Sequence, residues 1–219
     1  MPSQDVILVT GANTGLGFQI IRASAPLAKA DQAIDAAVKE FPSSRSKLFP
    51  IQVDIEDDDS ITAAFNEVQS KYGRLDTLIN NPGAQLDQQV KASHMTVRQM
   101  WNASWNVNTV GTHIIPSTLM PLLIQSSNSR LLFITSGTST LAGTEDLAVF
   151  VNKSPAKGWP KDAFSIPAYR SSKTGMNAGL VPNGAGDPAV AGDFIRSVLE
   201  GARDADVGKV ILRDGVQPW

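Results

Sequence analysis

Apolar and polar positions alternate in two different rhythms along the chain. Short apolar runs that end at turn-forming residues predict strands at 5–10 (DVILVT), 47–54 (KLFPIQVD), 77–81 (TLINN), 130–136 (RLLFITS) and 209–213 (KVILR). Apolar residues that recur every three or four positions predict helices at 15–23, 27–41, 58–73, 96–125, around Tyr169 and at 193–202. This alternation of strands and helices predicts an α/β fold with a doubly wound, mostly parallel sheet and helices on both faces.

Glycine and proline interrupt this pattern in two places. Gly111, Pro116 and Pro121 are expected to kink or divide the helix at 96–125, because proline removes a backbone donor. Residues 180–192 are rich in Gly and Pro, which predicts irregular structure before the last helix.

Composition narrows the class of protein. The 219 residues suffice for one well-buried domain, 1–219, with an ordinary 42% of hydrophobic and 18% of charged residues. A net charge of −2 offers no basic surface for a nucleic acid, so a small-molecule partner is expected. The chain shows neither a signal-peptide pattern nor a membrane-spanning apolar run, so a cytoplasmic protein without a membrane partner is expected. Cysteine is absent and His94 and His113 are too far apart to form a helical pair, so no metal site is predicted.

The segment TGANTGLG (10–17) follows an apolar strand and opens a helix, which is the setting of a phosphate-binding turn. Gly11 allows the tight turn, Gly15 lets the backbone approach a pyrophosphate, and Gly17 lets the helix pack closely on the strand. The amino terminus of the helix then faces the anion. The expected cofactor contacts in this turn are Gly11, Asn13, Thr14, Gly15, Leu16 and Gly17.

The spacing TGxxxGxG resembles that of the short-chain dehydrogenase/reductase family, which has a Rossmann-like fold, and further matches follow in the family's order over most of the chain. NNPG (80–83) resembles the family's NNAG, with proline in place of alanine. The resemblance implies that three residues of this motif lie beside the adenosine ribose: Asn81, Pro82 and Gly83. It also implies that Asp54 binds the adenine amino group and that the next residue, Ile55, is a further cofactor contact; for Asp54 a helix-capping aspartate is the alternative.

YRSSK (169–173) places Tyr169 and Lys173 four positions apart, on one face of a helix. A free tyrosine has a pKa of about 10, and a nearby ammonium lowers it, so Lys173 is expected to lower the pKa of Tyr169. The resemblance implies that Tyr169 is the general acid or base, that Lys173 holds the nicotinamide ribose and that Ser136 binds the substrate oxygen. Asn108, in NVNTVG, matches the asparagine that bends the helix and anchors a proton-relay water; a buried asparagine that satisfies the backbone is compatible with this role.

Two stretches of the family pattern are missing. Residues 18–54 are too few for two helices and two strands, so the second strand, which selects between NAD and NADP, is not recognisable. Asp31 lies in a helical pattern and is no guide to this choice; NAD or NADP is expected, with NADP slightly preferred. The gaps, near 22–30 and 176–186, indicate segments left out of the sequence, a shortened gene product, or a diverged protein that has lost reductase activity.

Conversely, Ser136 and Tyr169 are 33 positions apart, farther than is usual in the family. This separation predicts an insertion at about 140–166, within a long loop at 137–167 that covers the substrate cleft, with Trp159 as its main apolar contact. A passive surface excursion is the alternative. Ser136 and Tyr169 are expected to converge to within about 6 Å, because one carbonyl oxygen must reach both hydroxyls.

These features indicate an NAD(P)-dependent oxidoreductase, a carbonyl reductase or alcohol dehydrogenase, that acts on a small organic ketone, aldehyde or alcohol. Two other classes stay open. One is a protein of this fold that binds a nucleotide or metabolite without redox turnover, as an isomerase, cyclase or sensor. The other is a structural subunit that has lost nucleotide binding. The family resemblance also implies self-association, as a homodimer or homotetramer.

Overall fold

Three parallel strands form the central sheet. The computed structural model describes residues 5–12, 34–39, 42–92, 94–153, 157–158, 166–179, 188–207, 209, 211–212 and 214–216. Strand β1 (Ile7–Val9) pairs with β2 (Thr77–Asn80), and β2 pairs with β3 (Arg130–Phe133). Ile7 lies opposite Thr77, and Thr77 lies opposite Arg130, so the carboxyl ends of the three strands meet at one edge.

Helices fill the crossovers between the strands and the C-terminal part. The described helices are α1 (residues 34–39), α2 (Asp58–Tyr72), α3 (Asp87–Lys91), α4 (Val97–Trp105), α5 (Thr112–Leu123), α6 (Pro167–Gly179) and α7 (Pro188–Leu199). Other short elements are a π-helix between α4 and α5 (Asn106–Gly111) and 3₁₀ turns at Ala142–Thr144, Phe150–Asn152 and Asp204–Asp206. Strands β4 (Ile211–Leu212) and β5 (Gly215–Val216) form a separate antiparallel hairpin.

Successive residues of the strands belong to two apolar layers, one on each face of the sheet. Leu78 joins a core that α2 and α5 complete, with the buried residues Ile61, Val68, Leu75, Ile115, Leu119, Leu122 and Leu123. Ile79, the next residue, joins a second core with Val9, Ala12 and Ile195 of α7. The period of two in a strand sends these neighbours to opposite faces. The α/β fold with helices on both faces of a parallel sheet is therefore confirmed.

The prediction of a strand at 47–54 is wrong, because the described residues 42–54 form none. Ile51 and Val53 pack against the first core, while the residue between them is exposed. The alternation of buried and exposed residues that is typical of a strand is therefore present, but the segment pairs with no neighbouring strand among the described residues. Pro50 weakens any ladder further, because it has no N–H to donate.

The prediction of irregular structure at 180–192 is wrong over its last five residues, because α7 begins at Pro188. Proline suits the first position of a helix, where its missing N–H has no intrahelical partner. Residues 180–187 lie outside the described part of the chain.

The strand predicted at 209–213 exists in part, but it does not join the parallel sheet. Leu212 pairs with Gly215, and only two residues separate them. So short a connection permits only an antiparallel hairpin.

The helix predicted at 96–125 is divided, as expected, at the π-helix. Pro116 lies inside α5 and lacks the N–H that would otherwise bond to the carbonyl of Thr112. The side-chain amide of Asn80 donates to that carbonyl instead, at 2.7 Å. Because Pro116 leaves the Thr112 carbonyl free to accept this bond, the end of β2 is held against α5.

Helix α2 begins and ends where the sequence predicts. The Asp57 side chain accepts a hydrogen bond from the Asp59 N–H at 3.0 Å, and Gly73, with φ of 68°, closes the last turn in the left-handed region. Among the described helices none is long and apolar enough to cross a membrane. The described residues also contain no cluster of three His, Asp or Glu that could hold a metal ion.

Candidate active site

Polar side chains fasten the carboxyl ends of the three strands to one another. The Thr10 hydroxyl accepts a hydrogen bond from the Asn81 N–H at 2.9 Å, and the Asn81 amide donates to the carbonyls of Thr10 and Gly11 at 3.3 and 3.4 Å. On the other side of β2, the Ile134 N–H donates to the Asn80 carbonyl at 2.9 Å. The start of the glycine turn, the NNPG loop and the end of β3 therefore meet at one edge of the sheet, where α/β proteins bind their ligands.

Of the glycine turn at 10–17, the structure describes Thr10, Gly11 and Ala12. Gly11 is the glycine among them. Its φ is 61°, and a Cβ at this position would lie 2.7 Å from the carbonyl oxygen of Asn81. Glycine is required both by the left-handed backbone and by the close approach of the NNPG loop. The other predicted residues of the turn, Asn13, Thr14, Gly15, Leu16 and Gly17, lie outside the described residues.

We expect Gly11→Ala to lower the free energy of unfolding by about 2–4 kcal/mol, from left-handed backbone strain and from overpacking. Gly73→Ala is the matched control, because Gly73 has a similar φ of 68° and no atom within 4 Å of the added Cβ. It should therefore show the backbone cost alone. Urea unfolding of both variants measures the difference, and equal losses would contradict a contact with Asn81.

A cavity of about 1360 Å³ opens at this edge and continues along β1. It exceeds the roughly 300–1,000 Å³ of ordinary ligand pockets. Its rim at the sheet edge includes the predicted cofactor residues Gly11, Asp54, Ile55, Pro82 and Gly83. Farther along β1 its wall is apolar and includes Val38, Phe49 and Ile51.

Asp54 is exposed at the rim of this cavity. Its carboxylate accepts a hydrogen bond from the Glu56 N–H at 3.0 Å, and its own N–H donates to the Ser60 hydroxyl at 2.9 Å. These contacts shape the turn that enters α2. Within the described part of the chain, no protein donor bonds to the second carboxylate oxygen of Asp54. Ile55 packs against the first apolar core.

Ser136 and Tyr169 lie together despite their separation in sequence. Ser136 is a hydrogen-bonding neighbour that acts on the pKa of the Tyr169 phenol, and Ser136 Oγ lies 3.0 Å from Thr138 Oγ1. This proximity agrees with the predicted convergence of the two hydroxyls, and their approach to within about 6 Å stays a prediction. Burial raises the pKa of Tyr169 above its ordinary value, and the hydrogen bond with Ser136 acts in the opposite direction.

Lys173 is almost fully buried, with 2% of its surface exposed. Its Nζ donates to the carbonyls of Pro82 and Ile134 at 2.6 and 3.1 Å. Burial lowers the pKa of Lys173 to about 8. The expectation that Lys173 lowers the pKa of Tyr169 is wrong for this structure: the ammonium is directed at two carbonyls, and burial of the phenol outweighs the opposing contribution of Ser136.

Asn108 lies buried in the π-helix and joins the NNPG loop to α6. Its Oδ1 accepts the Ala84 N–H at 2.8 Å, while its Nδ2 donates to the Ala84 carbonyl at 2.9 Å and to the Ser172 hydroxyl at 3.0 Å. The side chain thus satisfies backbone groups, as the alternative interpretation of a buried asparagine predicts. This contact is compatible with a catalytic role. A relay-water role for Asn108 stays a prediction.

A buried polar cluster behind Ser136 escaped the sequence analysis. Thr135 Oγ1 donates to Asn177 Oδ1 at 2.5 Å, and Asn177 Nδ2 donates to Ser139 Oγ at 2.7 Å. The Ser139 hydroxyl in turn donates to the Ser136 carbonyl. Asn177 lies four positions after Lys173, on the same helix face, and this spacing was the available signal.

The first half of the predicted insertion is tied to α6 by Arg170, another residue that the sequence analysis missed. Arg170 Nε donates to the Thr138 carbonyl at 2.8 Å, and Nη1 donates to Asn152 Oδ1 at 2.5 Å. The Asn152 amide then donates to the Gly143 carbonyl at 2.7 Å. Trp159, the predicted apolar contact of the loop, lies outside the described residues.

A parallel sheet with a serine, a tyrosine and a lysine gathered at its carboxyl edge is the arrangement of an α/β enzyme that binds its ligands at that edge. The family model for short chain dehydrogenases matches residues 5–148. The chain is 33% identical to the short-chain dehydrogenase/reductase eupG of a Phoma species, over 98% of this chain and 97% of that protein. It is 35% identical to the short-chain dehydrogenase/reductase tropE of Talaromyces stipitatus, over 97% of each chain. The chain belongs to the short-chain dehydrogenase/reductase family.

Solved structures share the fold at lower identity. An NADPH-bound carbonyl reductase from chicken fatty liver superposes with a TM-score of 0.73 at 16% identity, over 100% of both chains. The menthone neomenthol reductase of Mentha piperita gives a TM-score of 0.67 at 20% identity, over 87% of this chain and 92% of that one.

The relatives contain segments that this chain lacks. The alignments with the Phoma and Talaromyces proteins extend over 270 and 265 residues, whereas this chain has 219. This difference agrees with the expectation from the sequence that parts of the family pattern are missing.

Proposed function

We propose that the protein reduces a small organic ketone or aldehyde with NAD(P)H and oxidises the corresponding alcohol in the reverse direction. The observation that carries the proposal is that the Tyr169 phenol lies beside Ser136 at the carboxyl edge of the sheet. Membership of the short-chain dehydrogenase/reductase family supports it. The NADPH-bound carbonyl reductase of the same fold is a precedent for the cofactor.

In this proposal the two hydroxyls divide the chemistry at the substrate oxygen. Ser136 donates a hydrogen bond to that oxygen and holds it beside Tyr169. Tyr169 gives its phenolic proton to the oxygen during reduction and takes it back during oxidation. Because burial raises the pKa of Tyr169, the phenol is protonated at neutral pH and ready to donate. The nicotinamide, when bound, supplies or accepts the hydride.

The cavity residues fit a dinucleotide in two respects. Gly11 has no Cβ between the turn and the NNPG loop, and Gly83 keeps the backbone bare beside Lys173, whose ammonium an added Cβ would contact at 3.7 Å. Gly11, Asp54, Ile55, Pro82 and Gly83 would then line the adenosine half, and Lys173 would hold the nicotinamide ribose. Asn81 would act through its bonds to Thr10 and Gly11.

The test follows the absorbance of NADH or NADPH, each offered separately with a panel of small ketones and aldehydes. The proposal predicts carbonyl-dependent loss of the reduced nicotinamide with at least one cofactor, and a lower rate for Ser136→Ala. Absence of turnover with every carbonyl and with both cofactors would refute it.

A second candidate is a protein of this fold that binds a nucleotide or metabolite without redox turnover. The shortened chain and the residues 42–54 without a strand favour it, because they change the wall on which the adenosine half would rest. Calorimetry that shows nucleotide binding together with absent hydride transfer would select this candidate. Self-association as a homodimer or homotetramer and a cytoplasmic location stay predictions.

We further propose that the loop at 140–166 shapes substrate choice, and that Arg170 fixes its first half. Arg170→Met removes charge-assisted hydrogen bonds worth about 1.5–3 kcal/mol, so the KM for the carbonyl should rise about tenfold or the substrate range broaden. Nucleotide affinity should stay nearly unchanged. Arg196→Met is the control, because Arg196 pairs with Asp193 at the surface and its side chain is 69% exposed. Unaltered kinetics in Arg170→Met would indicate that the loop is a passive surface excursion.

A further inference from the structure

Helix α6, which carries Tyr169 and Lys173, begins without a capping side chain of its own. Ile166 precedes the helix and has no side-chain acceptor. Pro167, the first helical residue, has no N–H. The next two N–H groups, those of Ala168 and Tyr169, still need acceptors from outside the helix.

Asp87 provides both acceptors from a segment more than 80 positions away. Its Oδ1 accepts the Ala168 N–H at 2.9 Å, and its Oδ2 accepts the Tyr169 N–H at 3.1 Å. Asp87 is itself buried, with 7% of its surface exposed. A carboxylate at the amino terminus of a helix is also favoured by the helix dipole.

Asp87 follows the NNPG loop by four residues, and the same stretch is fastened to α6 at two further points. The Lys173 ammonium donates to the Pro82 carbonyl, and Asn108 joins Ala84 to Ser172. The cofactor-side loop therefore contacts the catalytic helix along its whole first two turns. Movement at Asp87 would change the position of Tyr169 relative to this loop.

We infer that Asp87 is a positioning residue that fixes Tyr169, through its backbone N–H, relative to the cofactor-side loop. The inference rests on the proposed reductase function. Asp87 touches no reacting atom, so its contribution is to the geometry of proton transfer.

The test compares Asp87→Ala with wild type in steady-state carbonyl reduction. The variant leaves two helical N–H groups without acceptors, so the first turn of α6 loosens. A displacement of about 1 Å costs up to 10²-fold in rate, so kcat should fall about 10- to 100-fold. The KM for the carbonyl should change by less than about threefold, because an interaction made only in the transition state affects kcat.

Two further variants separate positioning from folding. Asp87→Asn keeps one carbonyl oxygen in place and should recover part of the lost kcat, and it remains available for measurement should Asp87→Ala not fold. Thr96→Ala is the matched control, because Thr96 is exposed and also caps a helix, α4, through its hydroxyl, which accepts the Gln99 N–H at 3.2 Å. Its kcat should match that of wild type.

Amide hydrogen exchange at Ala168 and Tyr169 gives a readout that does not depend on activity. Faster exchange in Asp87→Ala than in wild type and Thr96→Ala, together with the kcat loss, supports the inference. If the wild type is active and the kcat of Asp87→Ala is no lower than that of Thr96→Ala, the inference is overturned and the proposed function is unaffected. If the wild type shows no turnover, the proposed function is refuted, and the role of Asp87 in proton transfer with it. The exchange rates then report whether Asp87 holds the N–H groups of Ala168 and Tyr169.

Discussion

Replacing Tyr169 with Phe is expected to lower kcat for carbonyl reduction by about 10²–10⁴-fold, the usual contribution of a general acid. The substitution removes only the phenolic hydroxyl and keeps the aromatic ring at this position of α6. It removes the proton that the substrate oxygen would receive and the hydroxyl beside Ser136. Stopped-flow or steady-state measurement of nicotinamide oxidation at saturating carbonyl gives the effect directly.

The chain offers a matched control, because it contains only two tyrosines. Tyr72 lies on α2, is 37% exposed and contacts the ring of Phe49, away from Ser136. Tyr72→Phe should therefore leave kcat and KM unchanged. A Tyr169→Phe variant that retains wild-type kcat would exclude Tyr169 as the acid.

The second large effect concerns Lys173 and pH. Burial lowers the pKa of Lys173 to about 8 in the folded protein, against an ordinary value of 10.5. Between these two values the unfolded chain binds the extra proton, so the stability of the folded state rises as pH increases from about 8 to 10.5. Below pH 8 the ammonium is charged in both states, and the cost of burying it is fully present.

Lys173→Met abolishes this titration. The difference in free energy of unfolding, wild type minus variant, should therefore rise with pH across this window by a total on the order of 3 kcal/mol. Urea unfolding at a series of pH values measures it. Lys71→Met is the control: Lys71 is exposed and bonded to Glu67, which raises its pKa, so its difference should not rise over the same window and should begin to fall near pH 10.5. Absence of a rise for Lys173→Met as well would show that the ammonium is not desolvated.

The sequence predicts the strand at 77–81 well because a central parallel strand is buried on both faces. Leu78 and Ile79 are both fully buried, although they point to opposite layers, and such burial appears as a continuous apolar run. The segment 47–54 has a similar composition and forms no strand. A ladder needs a partner strand, and that requirement is invisible within the segment itself.

The same distinction separates the predicted from the missed parts of the site. Tyr169 and Lys173 are found from a local spacing on one helix. Asp87 and Asn80 instead bond to backbone groups, an N–H in one case and a carbonyl in the other. Backbone groups have no residue identity, so a distant side chain that satisfies them leaves no pattern in the sequence.

The π-helix at Asn106–Gly111 has a consequence for any redesign of this scaffold. A π-helix widens the turn by one residue, and each residue of an α-helix advances the surface by about 100°. Helix α4 and helix α5 are therefore out of phase, so that α4 packs on α6 while α5 presents Ile115 and Leu119 to the sheet. A chimera that exchanges either helix with a relative must carry all six residues of the π-helix and keep their number, or every side chain beyond the junction will face the wrong neighbour.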